Sequence, residues 1–191
     1  MGIAAGFIIA IVIVIVIVVI LVLVTIGMYN GLVRLRNAVE EAFSTMDVYM
    51  KKRYDLIPNL VETVKGYASH EKDTLERVIQ ARNFAQAASS PEDRMQGENQ
   101  LTGALKSLFA ISEGYPQLRA NENFLNLQSQ LQGVEQDIAN SRKYYNGTVR
   151  MYNTKTEVFP NSIVASMFRF ERKPLYEIAD AAQRENVKVE F

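Results

Sequence analysis

The apolar run near the N-terminus constrains this chain more than any other feature. Residues 3–28 contain no charged side chain, and the first charge in the chain is Arg34. The run is rich in isoleucine and valine, which favour strands in water. In a bilayer, however, a lone strand leaves its backbone polar groups unpaired, at several kcal/mol each. As a helix the run spans about 39 Å, enough to cross a hydrocarbon core about 30 Å thick. We therefore predict one membrane-spanning helix.

A cleaved signal peptide is the alternative interpretation of this run. Such a peptide needs basic residues at its start and an apolar core of about 7 to 15 residues. Here no basic side chain precedes the run, and the run is too long. We therefore predict that the segment is retained as the anchor of a single-pass membrane protein.

The charges beside the anchor favour one orientation. Arg34 and Arg36 follow the apolar run, whereas the N-terminal flank has no basic side chain. The positive-inside rule then places the rest of the chain in the cytoplasm. Glu40 and Glu41 lie close to the two arginines, so an extracytoplasmic location stays open as the alternative.

The composition argues against several classes of function. Twenty-one basic residues balance twenty-one acidic ones, so no net positive field attracts nucleic acid. The chain has no cysteine and a single histidine, His70, which leaves no thiolate chemistry and no histidine-rich metal site. It contains no phosphate-binding loop or paired nucleophile and base. We expect no catalytic residue, cofactor or metal.

The first helix of the soluble part begins directly at the anchor. Apolar residues recur at steps of three and four from Leu32 onward and continue beyond Pro58, which is the period of a helix face. A proline inside a helix removes a hydrogen bond and kinks the helix. The alternative is that Asp55 caps a new helix with Pro58 in its first turn.

Three further helices follow by the same criteria. One runs from about residue 71 to 88, the next starts with Ser90 as N-cap, and the last extends from near Asn121 to Pro160. The last has a heptad register typical of coiled coils, formed by Phe124, Leu127, Leu131, Val134, Ile138, Ser141, Tyr145, Val149 and Tyr152. The chain is therefore predicted to be all-α, with an N-terminal transmembrane helix continuous or nearly so with an elongated antiparallel four-helix bundle.

These patterns divide the chain into three parts. We assign residues 3–28 to the transmembrane helix and residues 29–160 to the helical bundle. Residues 161–191 form a C-terminal tail with short helical segments.

Several motifs of the chain resemble one known protein family. They are Tyr29-Asn30-Gly31-Leu32-Val33, Lys52-Arg53-Tyr54-Asp55-Leu56-Ile57-Pro58-Asn59-Leu60-Val61, Val64-Lys65-Gly66-Tyr67-Ala68, Ala120-Asn121-Glu122-Asn123-Phe124, Arg142-Lys143-Tyr144-Tyr145-Asn146 and Tyr152-Asn153. Together they are similar to the LemA family over essentially the whole chain.

This resemblance implies a fold more clearly than an activity. Members of the family are bacterial, membrane-associated, and contain an antiparallel helical bundle without an established enzymatic activity, so no catalytic residue is carried over. Many relatives are lipoproteins with a cysteine just before the Tyr-Asn start, where this chain has Met28. Those relatives hold the domain outside the cytoplasm, which is the alternative topology named above.

The candidate interaction residues fall into two groups. Tyr-Asn pairs occur three times, and Tyr145 and Tyr152 stand one heptad apart on the seam. They predict either a core layer whose hydroxyls reach water or asparagine amides, or a surface for another subunit. We also expect Arg53 and Asp55 to form a partly buried pair that fixes a bend at Pro58. The candidates are Tyr29, Asn30, Tyr145, Asn146, Tyr152, Asn153, Arg53, Asp55 and Pro58.

The tail admits three arrangements. The two longest predicted helices extend beyond the others, and residues 161–191 could cover the apolar seams of this pair. Alternatively, such pairs from neighbouring subunits could pack together in the membrane plane. The apolar tail residues could instead lie in the membrane interface.

The sequence thus predicts a non-enzymatic single-pass membrane protein that acts as a self-associating helical scaffold or interaction module. Its partners would be the lipid bilayer, further copies of itself and an unknown protein. The alternative function is an accessory or regulatory subunit of a membrane protease or signalling system, binding one partner through its helical head.

Overall fold

A computed structural model describes residues 2–176 of the chain. The helices are α1 (Gly2–Lys65), α2 (Lys72–Ala87), α3 (Pro91–Ser112), α4 (Pro116–Arg119), α5 (Glu122–Glu157) and α6 (Asn161–Met167). None of the described residues forms a strand. The predicted all-α class and the long apolar N-terminal helix are confirmed.

Two helices begin where their capping residues predict. The Ser90 hydroxyl accepts a hydrogen bond from the Asp93 amide at 3.0 Å, in front of α3. The Asn121 side-chain oxygen accepts one from the Phe124 amide at 2.9 Å, in front of α5. Each bond satisfies a backbone donor that the helix itself cannot pair.

The first helix continues without interruption through Pro58, so the alternative that Asp55 starts a separate helix is wrong. Proline lacks the N–H that would bind the carbonyl four residues earlier, which is that of Tyr54. Arg82 of α2 replaces this donor, because its Nε donates to the Tyr54 carbonyl oxygen at 2.8 Å. A contact from a neighbouring helix therefore satisfies the acceptor that the proline leaves unpaired.

The described residues group into two compact units, each drawing on distant parts of the chain. The first unit contains residues 2–41 and 147–173, and the second contains residues 42–146 and 174–176. These units combine separate stretches of the chain, so they do not test the domain boundaries at residues 28 and 160. The boundaries stay a prediction.

The first unit combines the exposed apolar run with a small core. Large apolar side chains from Phe7 to Val24 are 46–70% exposed, and α1 is the one helix among the described residues that is long and apolar enough to cross a membrane. Beyond this run, Leu32 packs against Val164 and Ala165 of α6. Within the described residues, α6 thus packs on α1, in agreement with part of the first predicted arrangement. Residues 177–191 of the predicted tail lie outside the described residues.

The second unit has a larger core, to which α1, α2, α3 and α5 all contribute. Its buried apolar residues include Met46, Ile57, Leu60, Val78, Leu101, Leu105, Phe124, Leu131, Val134 and Ile138. The helices α2 and α3 approach closely at Gly97, where an added Cβ would lie 2.6 Å from the Ala85 Cα. Only glycine permits this approach of the two backbones.

Candidate interaction site

In the first unit, Tyr152 and Asn153 bind the backbone of the tail. The Asn153 amide nitrogen donates to the Lys173 carbonyl oxygen at 2.9 Å, and the Asn153 oxygen accepts from the Lys173 amide at 2.9 Å. The Tyr152 hydroxyl donates to the Glu171 carbonyl oxygen at 3.0 Å. Both side chains are buried at 6% exposure or less, so these bonds replace water as their polar partners.

In the second unit, Tyr145 and Asn146 make the same set of bonds. Asn146 donates to the Tyr176 carbonyl oxygen at 3.0 Å and accepts from the Tyr176 amide at 2.7 Å. The Tyr145 hydroxyl donates to the Pro174 carbonyl oxygen at 2.9 Å. The guanidinium of Arg142 lies 5.0 Å from the centre of the Tyr176 ring, a cation–π distance.

The two pairs therefore follow one rule. Asparagine pairs with both backbone groups of one tail residue, and the preceding tyrosine pairs with the carbonyl two residues earlier. The two Tyr-Asn pairs are seven residues apart on α5, and the tail residues that their asparagines bind are three residues apart. Seven helical residues and three extended residues both cover roughly 10 Å, so the two spacings match. These hydrogen bonds are made to the main chain of the tail, and the Tyr176 ring adds a side-chain contact with Arg142.

The seam tyrosines lie in a core layer, but their hydroxyls bind different groups from those predicted for such a layer. Tyr145 and Tyr152 are buried at 3% and 1% exposure, as a core layer requires. Their hydroxyls, however, donate to carbonyls of the tail and not to asparagine amides. Burial, the larger cause for both residues, raises the pKa of each phenol, which keeps the hydroxyls neutral donors at ordinary pH.

The third Tyr-Asn pair does not follow the rule. The Tyr29 ring lies edge-on to Phe168 and Phe170, with ring centres 4.8 and 5.6 Å apart. Asn30 is exposed on α1. Within the first unit, Tyr29 thus contacts the tail through its ring. Asn30 does not make the pair of backbone hydrogen bonds that Asn146 and Asn153 make.

A cluster of charged side chains lies in the second unit, with Glu98 buried at 2% exposure and Glu135 37% exposed. Arg53 of α1 is 1% exposed and forms ion pairs with Glu98 of α3 and Glu135 of α5. It also donates to the Thr102 hydroxyl at 3.1 Å. The Tyr54 hydroxyl donates to Glu98. We call Arg53, Tyr54, Glu98 and Glu135 the charged cluster.

In the charged cluster, the cost of burying charged groups opposes the attraction between the guanidinium of Arg53 and the carboxylates. Burial opposes the charge of Arg53, but Glu98 and then Glu135 outweigh it and raise its pKa. Burial raises the pKa of Glu98, although Arg53 and the Tyr54 hydroxyl both favour its carboxylate form. Burial, followed by the Glu98 charge, also raises the pKa of Tyr54. Arg53 therefore remains a cation and Tyr54 a neutral donor.

The expected pair between Arg53 and Asp55 is absent, because Arg53 binds Glu98 and Glu135 instead. Residues two positions apart on a helix point to opposite sides, and Asp55 is exposed while Arg53 is buried. Pro58 is also exposed, and the contact that accompanies it is the Arg82 bond described above.

The sequence analysis did not identify Glu98 and Glu135 as partners of Arg53. The heptad pattern contains a signal for the pair of Arg53 and Glu98. Arg53 lies seven residues after Met46 and seven before Leu60, on the apolar face of α1. Glu98 lies seven residues before Leu105 on the apolar face of α3. Opposite charges at core positions of two helices predict an ion pair between them.

Among the described residues, no group of three histidine, cysteine, aspartate or glutamate side chains could hold a metal ion. The arrangement found here instead suits binding of protein backbone.

Comparison with known proteins assigns the chain to a family. The family model for LemA matches residues 42–191. The chain belongs to the LemA family. LemA membership and the candidate membrane-spanning helix together describe a membrane-associated helical protein.

The LemA relatives come from several organisms. Protein LemA of Metamycoplasma hominis is 26% identical over 171 residues, which are 86% of this chain and 74% of that protein. Magnetosome protein MamQ of Magnetospirillum gryphiswaldense is 24% identical over 170 residues, 75% of this chain and 62% of MamQ. Magnetosome protein MamQ 2 of Paramagnetospirillum magneticum is 23% identical over 175 residues, 78% of this chain and 64% of that protein. The chain thus spans less than two thirds of the magnetosome proteins.

Proposed function

We propose that this chain is a non-enzymatic, single-pass membrane protein that acts as a self-associating helical interaction module. The observation that carries the proposal is the pair of Tyr-Asn sites on α5, which bind main-chain carbonyl and amide groups. Polar side chains that bind an extended backbone serve protein recognition. Their chemistry is neutral and contains no activated nucleophile.

A second feature supports self-association. In the first unit, Met151 of α5 is 63% exposed, and Val158, just beyond the end of α5, is 43% exposed. Large apolar side chains left exposed are candidates for contact with another chain. Copies anchored in one membrane share an orientation, so the same side chains on two copies can meet in a closed, symmetric dimer. We assign Met151 and Val158 to contact with a second copy of the chain.

The topology in this proposal places the soluble part in the cytoplasm. Arg34 and Arg36 follow the membrane segment directly. Basic residues this close to the end of a span are the ones that the positive-inside rule counts. Protease added to intact cells should leave the soluble part uncut, whereas cleavage there would favour the extracytoplasmic alternative.

The mass of the particle in native lipid nanodiscs tests self-association. We expect a mass that is a multiple of the chain mass, and we expect Met151→Lys to reduce it to that of a monomer. Val48→Lys is the matched control, because Val48 is an equally exposed apolar residue, at 66%, that belongs to the second unit. This variant should retain the wild-type mass.

A wild-type particle that contains one chain and one copy of a second protein would contradict the scaffold and support the accessory role. That second function has a basis in the same α5 sites, since backbone binding suits a foreign peptide as well as the chain's own tail. A wild-type particle that contains one chain and no second protein would overturn both the scaffold role and the accessory role.

A further inference from the structure

The first unit exposes large apolar side chains outside the membrane segment. Phe159, Ile163, Met167 and Phe168 are 80%, 55%, 66% and 48% exposed. We call these residues the tail apolar face. In water, each exposed side chain of this size forfeits up to about 1.5 to 3 kcal/mol of burial free energy, and several such side chains in one short segment suggest an interaction surface.

The spacing of these residues gives α6 two apolar sides. Phe159 and Phe168 lie just outside the two ends of α6. Ile163 and Met167 are four residues apart within α6, which is the spacing of one side of a helix. Val164 and Ala165 occupy another side and pack on Leu32. Because the second side is already filled by the core of the first unit, the exposed side requires another partner.

The contacts of α6 place the tail apolar face beside the end of the membrane segment. Its core partners Leu32 and Met28 lie just beyond Ile26, where the exposed apolar run ends. Met28 and Leu32 lie two and six residues beyond Ile26, or about 3 and 9 Å along the helix. A bilayer has a polar interfacial layer of roughly 5 to 8 Å on each side of its hydrocarbon core. The two core partners of α6 therefore lie on either side of the middle of the headgroup layer.

The side chains around the face have the composition of a membrane interface. The rings of Tyr29, Phe168 and Phe170 form one aromatic group, and aromatic residues concentrate at this depth. The Arg36 guanidinium lies 5.5 Å from the centre of the Phe170 ring. Its aliphatic stem can cover apolar surface while its charge stays at the headgroups.

We propose that the tail apolar face inserts into the headgroup region of the bilayer leaflet from which α1 emerges. The occupant is lipid. In this arrangement α6 bridges two apolar environments, the core of the first unit on one side and the membrane interface on the other. The chain is then attached to the membrane at two places, through α1 and through α6.

Site-specific fluorescence tests this proposal. The chain has no cysteine, so Met167→Cys can carry a single environment-sensitive fluorophore. The full chain is placed in nanodiscs of phosphatidylcholine and phosphatidylglycerol that hold one copy each, which leaves both leaflets open to water. Asn37→Cys is the control, because Asn37 is an exposed residue of α1 in the same unit.

We expect nitroxide-bearing lipid to quench the Met167→Cys label about two-fold or more relative to the control, and aqueous iodide to quench it correspondingly less. Ile163→Cys should behave in the same way, which guards against a local disturbance at one position. Equal iodide quenching of the two α6 labels and the Asn37→Cys label would overturn the proposal. If the labels are protected from iodide only in discs that hold two copies, the tail apolar face contacts a neighbouring chain. This result would also overturn the proposal.

Discussion

The charged cluster and the Tyr-Asn pairs both bury polar side chains along apolar helix faces, but they satisfy these groups differently. Arg53 binds carboxylates that belong to two other helices. Asn146 and Asn153 bind backbone groups of an extended segment without using charge. The first arrangement links helices, and the second holds a segment that has no regular structure of its own.

This difference determines how strictly each arrangement selects the residues that it binds. Removing one member of a buried ion network leaves an uncompensated charge, which costs several kcal/mol. Such a cluster permits one register of the helices. Hydrogen bonds to a backbone cost less when they are lost, and they accept any extended residue that has an amide N–H. The charged cluster therefore fixes the helical framework, while the Tyr-Asn pairs select a conformation rather than a sequence.

The largest expected effect is that of Arg53→Met. It leaves Glu98 buried without its cation and should lower the free energy of unfolding by about 3–5 kcal/mol. Urea titration of the protein in mild detergent measures this change. The control is Arg172→Met, whose ion pair with Glu157 is exposed and is worth about 0–1 kcal/mol.

A double variant sharpens this prediction. Replacing Glu98 by leucine in the Arg53→Met background removes the stranded charge, so we expect part of the stability to return. The Arg53 Nε is buried without a hydrogen-bond partner, which makes an apolar replacement less costly. If the double variant is less stable than Arg53→Met alone, the charged cluster does not act as described.

The next effect is that of Asn153→Ala. It removes a donor and an acceptor that pair with Lys173, and we expect a loss of about 2–3 kcal/mol. Asn146→Ala should cost less, because Asn146 is only partly buried. Asn37→Ala is the control, since that asparagine is exposed. Equal stability of the Asn153→Ala and Asn37→Ala variants would refute a role for this amide.

A smaller effect is expected from the ionisation of Tyr176. Burial, followed by the Glu98 charge, raises its pKa to about 12, against about 10 in an unfolded chain. A raised pKa means that the contribution is complete below pH 10 and is lost as the pH rises through 12. Stability should therefore fall by about 2 kcal/mol over this interval, and Tyr176→Phe should reduce this fall. Identical alkaline profiles would contradict the buried position of the phenol.

Most of the fold could be predicted because helices carry a local signal. The heptad seam of α5 is buried at every predicted position except Leu127, which is partly exposed. The cap at Ser90 is likewise a local feature. The compensation at Pro58 is not local, since the sequence predicts an unpaired Tyr54 carbonyl but does not identify Arg82 as its donor.

The candidate site could be predicted only in part. The Tyr-Asn repeat stands out in the sequence, but its partners are carbonyl and amide groups, which every residue has. The tail from Glu171 to Tyr176 therefore shows no pattern that marks it as the bound segment. The charged cluster was predictable in principle, because Arg53 and Glu98 interrupt apolar heptads.

Amide hydrogen exchange in the full chain tests most directly whether the Tyr-Asn pairs bind the tail backbone. We expect Asn153→Ala to accelerate exchange of the Lys173 amide about ten-fold, equivalent to roughly 1.4 kcal/mol, with a smaller change at Tyr176. Asn146→Ala should reverse this preference, and Tyr152→Phe, which removes a bond to a carbonyl, should affect both amides less. Unchanged exchange at Lys173 in Asn153→Ala would contradict the account.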